Sequence, residues 1–169
     1  MRPWTRGVAA GVRRASDGVN RGVEALLFVL GLGMALLMGA QVFSRYVLNH
    51  SLFWSEEVGR MTLVWLAFLG ASAAYKRRLH IGIDFLVRGL PPRLRRVLDA
   101  GVVVASMGFF GVMTVYGWKF MWFVSSQKTA ALGIPQSIPY LVLPLSGSLL
   151  LLHGLDRLLE AGGLGEDES

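Results

Sequence analysis

The stretch Trp54-Ser55-Glu56-Glu57-Val58-Gly59-Arg60, followed by Met61 to Tyr75 without one charged residue, decides the fold. The uncharged run is about fifteen residues, short of the roughly 20 that an α-helix needs to cross a bilayer's hydrocarbon core. A spanning helix must therefore begin earlier and carry Glu56, Glu57 and Arg60 into its first turns. Charge inside a span is expensive and is kept for function or for a partner, which makes this cluster a candidate contact site.

Working outward, the same pattern recurs. Ala25 to Ser44, Ala100 to Trp118 and Thr129 to Leu155 are also uncharged, each bounded by charged residues. With 53% hydrophobic and 17% charged residues over a length of 169, and a mean hydropathy of +0.50, the chain departs from soluble composition. Continuous apolar blocks of this length are helices; barrel strands alternate apolar and polar residues over about ten positions. The reading is an all-α integral membrane protein with four transmembrane helices in one domain, near 24–46, 55–75, 95–124 and 139–159. Residues 1–22 form a basic arm and 162–169 an acidic tail. A cleaved signal peptide is the alternative for the first block, whose apolar core exceeds the usual 7–15 residues of such a segment.

Short cytoplasmic loops collect Lys and Arg. The arm holds Arg2, Arg6, Arg13, Arg14 and Arg21, and the loop after the second span holds Lys76, Arg77, Arg78, Arg88, Arg93, Arg95 and Arg96. The opposite side has Arg45, Arg60, Lys119 and Lys128, so both termini are expected in the cytoplasm. The net charge of +6 would suggest nucleic acid in a soluble protein, but these residues sit at span ends, where anionic lipid heads attract them. Membrane lipids are the expected partners and nucleic acid is not. The chain has no cysteine, hence no thiolate site or disulfide.

Within the spans, Gly31, Gly33, Ala35 and Gly39 on the first helix, and Gly101, Gly108, Gly111 and Gly117 on the third, permit close helix approach or simply reflect membrane composition. Arg45 and Tyr46 suit the outer interface. Ser55 reads as the N-cap of the second helix, with Glu56 and Glu57 in its first turn against the positive end of the dipole. Arg60 stands i+4 from Glu56 and i+3 from Glu57, so it reaches either and leaves one carboxylate over. That excess is available to another subunit; the plainer alternative is a self-neutralising cluster in a wet interface. After Tyr75, Leu79, Ile83, Leu86 and Leu90 mark a short interfacial segment between the second and third spans, broken by Gly82, Gly89 and the prolines. Within it His80 and Asp84, at i,i+4, form a pair that either senses pH or fixes the loop. Ser125 to Ile138 is a connector that folds back on the outer surface, Pro139 opens the fourth helix and Pro144 bends it.

No Gly-rich phosphate loop, His-Glu-x-x-His or nucleophile elbow occurs, so no residue is a candidate catalyst and the chain is not read as an enzyme. No cofactor is expected. A haem between His80 and His153 is the competing class, but it would need a large inward shift of His80. An autonomous small transporter is a further alternative, against which stand midplanes without ionisable residues.

Arg45-Tyr46, Phe53-Trp54-Ser55-Glu56-Glu57-x-x-Arg60, Val64-Trp65-Leu66-Ala67-Phe68-Leu69-Gly70-Ala71, His80-Ile81-x-x-Asp84, Leu132-x-Ile134-Pro135 and Pro144, in this order, resemble the small membrane subunit of tripartite ATP-independent periplasmic (TRAP) transporters. The resemblance covers most of the chain. It implies a bacterial inner-membrane subunit that braces a large permease subunit and works with a periplasmic solute-binding protein. It also implies uptake of an organic acid or related solute, driven by a cation gradient. On this reading Arg45, Trp54, Glu56, Glu57, Arg60 and Pro135 position the outer half of a scaffold, and His80 and Asp84 its cytoplasmic half.

Overall fold

The computed structural model describes residues 3–77 and 92–164. Five helices follow in order: α1 (Pro3–Tyr46), α2 (Phe53–Lys76), α3 (Pro92–Phe123), the short α4 (Ser137–Tyr140) and α5 (Val142–Leu164). Four stretches are long and apolar enough to cross a membrane: Ala10–Tyr46, Phe53–Lys76, Gly101–Phe123 and Ser137–Leu158. The described residues are thus all-helical apart from one isolated bridge, as the uncharged runs require.

Three boundaries differ from the sequence reading. α1 continues unbroken through the basic arm, so its 44 residues extend about 66 Å, twice the thickness of a hydrocarbon core. α2 starts at Phe53, with Leu52 as its N-cap and no side-chain cap. Ser55 therefore lies inside the first turn, where its hydroxyl donates to the Leu52 carbonyl at 2.6 Å. The fourth span is divided at Leu141 into α4 and α5, placing Pro144 in the first turn of α5, where a missing N–H costs least. The segment holding His80 and Asp84 lies outside the described residues.

α5 is the hub, packing against α1, α2 and α3, while α1 also lies along α2 and α3 flanks the opposite side. Leu69 and Ala73 of α2, Val23 of α1 and Val142 of α5 form one buried cluster; Tyr75, Phe110 and Leu150 form another. Tyr75 and Phe110 meet edge to face with ring centroids 5.1 Å apart. Close approach of α3 and α5 depends on two glycines. A Cβ at Gly117 would stand 3.0 Å from the Pro144 nitrogen, and one at Gly147 3.0 Å from the Thr114 nitrogen. Gly31, Gly33 and Gly39 have nothing within 4 Å of the corresponding position, so these α1 glycines pack no neighbour among the described residues. Phe28, Val29 and Leu36 on α1, and Val104, Phe109 and Trp122 on α3, are exposed, as surfaces facing lipid or another subunit are.

The loop 47–52 closes the end of α1. Ser44 donates its hydroxyl to the His50 carbonyl at 2.7 Å, the His50 amide returns to the Ser44 carbonyl at 3.1 Å, and Asn49 adopts φ 50°, which its short polar side chain tolerates.

Candidate functional site

Polar side chains gather at the two ends of the bundle. At the end where α2 begins, the connector 127–136 doubles back on itself. The Thr129 amide donates to the Ile134 carbonyl at 2.8 Å, the Gln136 amide to the Gln127 carbonyl at 2.9 Å, and Lys128 bridges to Pro135 in antiparallel fashion. Gly133, at φ 66°, makes the bend. This geometry points two successive amides the same way, and Glu57 receives both: its Oε2 accepts Ala131 N–H at 2.6 Å and Leu132 N–H at 3.0 Å. Thr129, whose hydroxyl accepts the Ile134 amide at 3.2 Å, also interacts with this carboxylate. Glu57 thus latches the connector to α2.

Arg60 attracts Glu57 through space, but among the described residues it forms no ion pair. Glu56 is exposed and among the described residues meets the Gln41 amide of α1 at 3.4 Å, so of the two carboxylates it is the less engaged. Spacing alone left that choice open. Trp54 is half-exposed, Arg45 closes α1 and is exposed, and Pro135 is exposed on the connector. The structure therefore brings Glu56, Glu57 and the Pro135 loop to one rim, with Arg45, Trp54 and Arg60 on its open surface. His80 and Asp84 are outside the described residues.

The other end holds a cluster that the sequence reading did not assemble. Lys76, the last residue of α2, reaches Asp17 of α1 at 2.9 Å and Asp156 of α5 at 2.6 Å. Its side chain is 18% exposed and that of Asp156 6%, while Asp17 is half-exposed. His153, one turn before Asp156, is buried and shares a 2.8 Å hydrogen bond between its Nδ1 and Ser16 Oγ. Beside it Arg77 grips Glu24, with Nη2 at 2.8 Å and Nε at 2.9 Å from one oxygen, which Asn20 also donates to at 2.7 Å. Three helices are joined here by charge. His50 is at the far end of α1 from His153, so these two histidines cannot share a metal or haem. The signal for the cluster was present but weak: Lys76 and Asp156 flank uncharged runs on one predicted side, and Asp17 lies in the basic arm of that side.

Between these ends several hydroxyls turn inward on their own helices. The hydroxyls of Thr62, Thr114, Ser146 and Ser148 each donate to the carbonyl four residues earlier, at 2.7–2.8 Å. Trp65 Nε1 donates to the Pro139 carbonyl at 3.2 Å, tying α2 to the α4 break.

The family model described as tripartite ATP-independent periplasmic transporters, DctQ component, matches residues 34–162. The chain belongs to this family. It is the small permease type of component, and its four membrane-length helices make it a multi-pass inner-membrane protein. As a DctQ component it is 25% identical over 140 residues to the sialic acid TRAP transporter small permease protein SiaQ of Vibrio cholerae, covering 83% of this chain and 81% of SiaQ. It is 31% identical over 99 residues to the C4-dicarboxylate TRAP transporter small permease protein DctQ of the same organism, covering 58% of this chain but only 43% of that relative. It also matches the sialic acid TRAP transporter permease protein SiaT of Haemophilus influenzae, 27% identical over 135 residues. That match takes in 80% of this chain and 22% of SiaT, a much longer polypeptide.

Proposed function

We propose that this DctQ component braces the large permease subunit of a TRAP transporter and conducts no solute itself. The observation that carries this reading is the distribution of polar groups. Among the described residues charges occupy the two rims, and between them the hydroxyls of Thr62, Thr114, Ser146 and Ser148 are spent on their own helices, while Ser72, whose buried hydroxyl has no partner among those residues, lies one turn from the Lys76 rim; this is a poor lining for a solute path. The likeness of 80% of this chain to a small part of SiaT supports a DctQ-like unit working beside a larger permease unit.

In this reading the assembly takes up an organic acid or related solute, handed over by a periplasmic binding protein and driven by a cation gradient. The relatives' names, sialic acid and C4-dicarboxylate, support that substrate class. Both termini are cytoplasmic, as the Lys and Arg distribution favours. The Lys76 cluster then faces the cytoplasm and the Glu57 latch the periplasm.

Arg45, Trp54, Glu56, Arg60 and Pro135 present the outer contact to the permease, Glu57 holds that surface in shape, and His80 with Asp84 belongs to the inner contact. Glu57→Ala and Arg60→Ala are expected to reduce recovery of the permease in co-purification and to slow uptake. Wild-type recovery and uptake in both variants would remove the assignment.

A further inference from the structure

The cluster at Lys76 borders a half-open polar cavity of about 260 Å³ lined by Arg13, Asp17, Tyr75, Lys76, His153, Asp156 and Arg157. We propose that this cavity, between α1, α2 and α5, binds a phosphate group.

Charge comes first. Three basic side chains line the cavity against two carboxylates, and both carboxylates are held by the single Lys76 ammonium. The lining carries one net positive charge, and since Arg13 also acts on Asp17, Arg157 is the cation placed to use that excess. Arg157 lies over the Tyr75 ring, with Cζ 5.8 Å from its centroid, which orients a guanidinium at the cavity wall. Guanidinium forks match phosphate oxygens in geometry as well as charge.

The second observation is an orphan. His153 is 2% exposed, and its Nε2 is buried with no hydrogen-bond partner among the described residues. When Ser16 donates its hydroxyl to Nδ1, the imidazole proton resides on Nε2, leaving a donor that needs an acceptor oxygen. A buried donor without an acceptor is costly, and it is the kind of group that ligand binding satisfies. The volume exceeds a water's share of about 30 Å³ several-fold, room for a phosphate group and companion waters. A metal is disfavoured by the donor set, since among the described residues no group of three or more His, Asp or Glu side chains converges.

The phosphate has two sources, the headgroup of a membrane phospholipid or free phosphate. The full chain, purified in maltoside micelles, is titrated with dioleoylphosphatidylglycerol, with phosphate-free dioleoylglycerol and with inorganic phosphate; binding is read by native mass spectrometry and phosphorus NMR. The expected result is one saturable site for a phosphate-bearing ligand and none for dioleoylglycerol. Arg157→Gln and His153→Phe should each weaken it about tenfold, the loss of one charge-assisted hydrogen bond. Arg60→Gln, at the other end, should leave it unchanged. Saturation by the lipid alone assigns a headgroup, and saturation by inorganic phosphate assigns the free anion. No saturable binding of either by the wild-type chain overturns the proposal, leaving a water-filled cavity. Equal binding by wild type and folded Arg157→Gln also overturns it.

Discussion

Lys76 and Asp156 are 80 positions apart in sequence and their charged atoms are 2.6 Å apart in space. The bond joins the last turn of α2 to α5, and the same ammonium holds Asp17 of α1. Three helices that would otherwise slide along apolar faces are thereby given one register.

Removing Lys76 leaves Asp156 buried without its ion-pair partner. Lys76→Met should cost about 3 kcal/mol, the low end for breaking a buried pair because the cluster borders a polar cavity. Asp17→Asn, at a half-exposed position, should cost less than about 1 kcal/mol. Thermal or denaturant unfolding in micelles gives both values, and a double-mutant cycle of Lys76→Met with Asp156→Leu should show strong coupling. Additive losses would mean the pair sets no register.

The Glu57 latch makes a local prediction. In Glu57→Ala the amides of Ala131 and Leu132 lose their acceptor and should exchange hydrogen faster, together with the rest of 127–136, whereas Glu56→Gln should leave those rates at wild-type values. Hydrogen exchange read by mass spectrometry separates the two carboxylates directly.

Gly117 of α3 and Gly147 of α5, at the contact between these helices, should differ from the glycines of α1. Gly147→Ala drives a methyl to 3.0 Å from the Thr114 backbone and should destabilise the bundle by about 1–3 kcal/mol. Gly31→Ala meets open space and should be neutral, or stabilising by up to about 1 kcal/mol through helix propensity. Unfolding midpoints of the two variants in the same detergent provide the comparison.

Trp65→Phe removes the indole N–H from the Pro139 carbonyl and keeps most of the ring's packing. It should cost about 1 kcal/mol, and that loss should be absent in a chain where the α4 break has been straightened.

The four spans were legible because a bilayer imposes a simple rule, long runs without charge, and Ala25 to Ser44 or Ala100 to Trp118 obey it. Glu56 and Glu57 were legible as a site because charge at a span's start is costly. Their division of labour was not, since helical spacing offers Arg60 to both, while the real partner of Glu57 is a pair of amides 74 and 75 positions away. Ser55 looked like a cap, yet α2 begins two residues earlier at Phe53 and the hydroxyl folds back on Leu52. Lys76 was read as one more loop cation under the orientation rule, which counts charges and says nothing of their partners. The glycines of α1 and α3 were indistinguishable by spacing; only the packing partner sets Gly117 apart from Gly31.

The central claim is that this DctQ component supports transport without conducting. Its most direct test is solute uptake into proteoliposomes that hold this chain alone, alongside vesicles holding it together with the large permease and the binding protein. Gradient-driven uptake is expected only in the complete assembly, with none above empty vesicles for this chain by itself; saturable solute flux through the isolated chain would mean that it conducts.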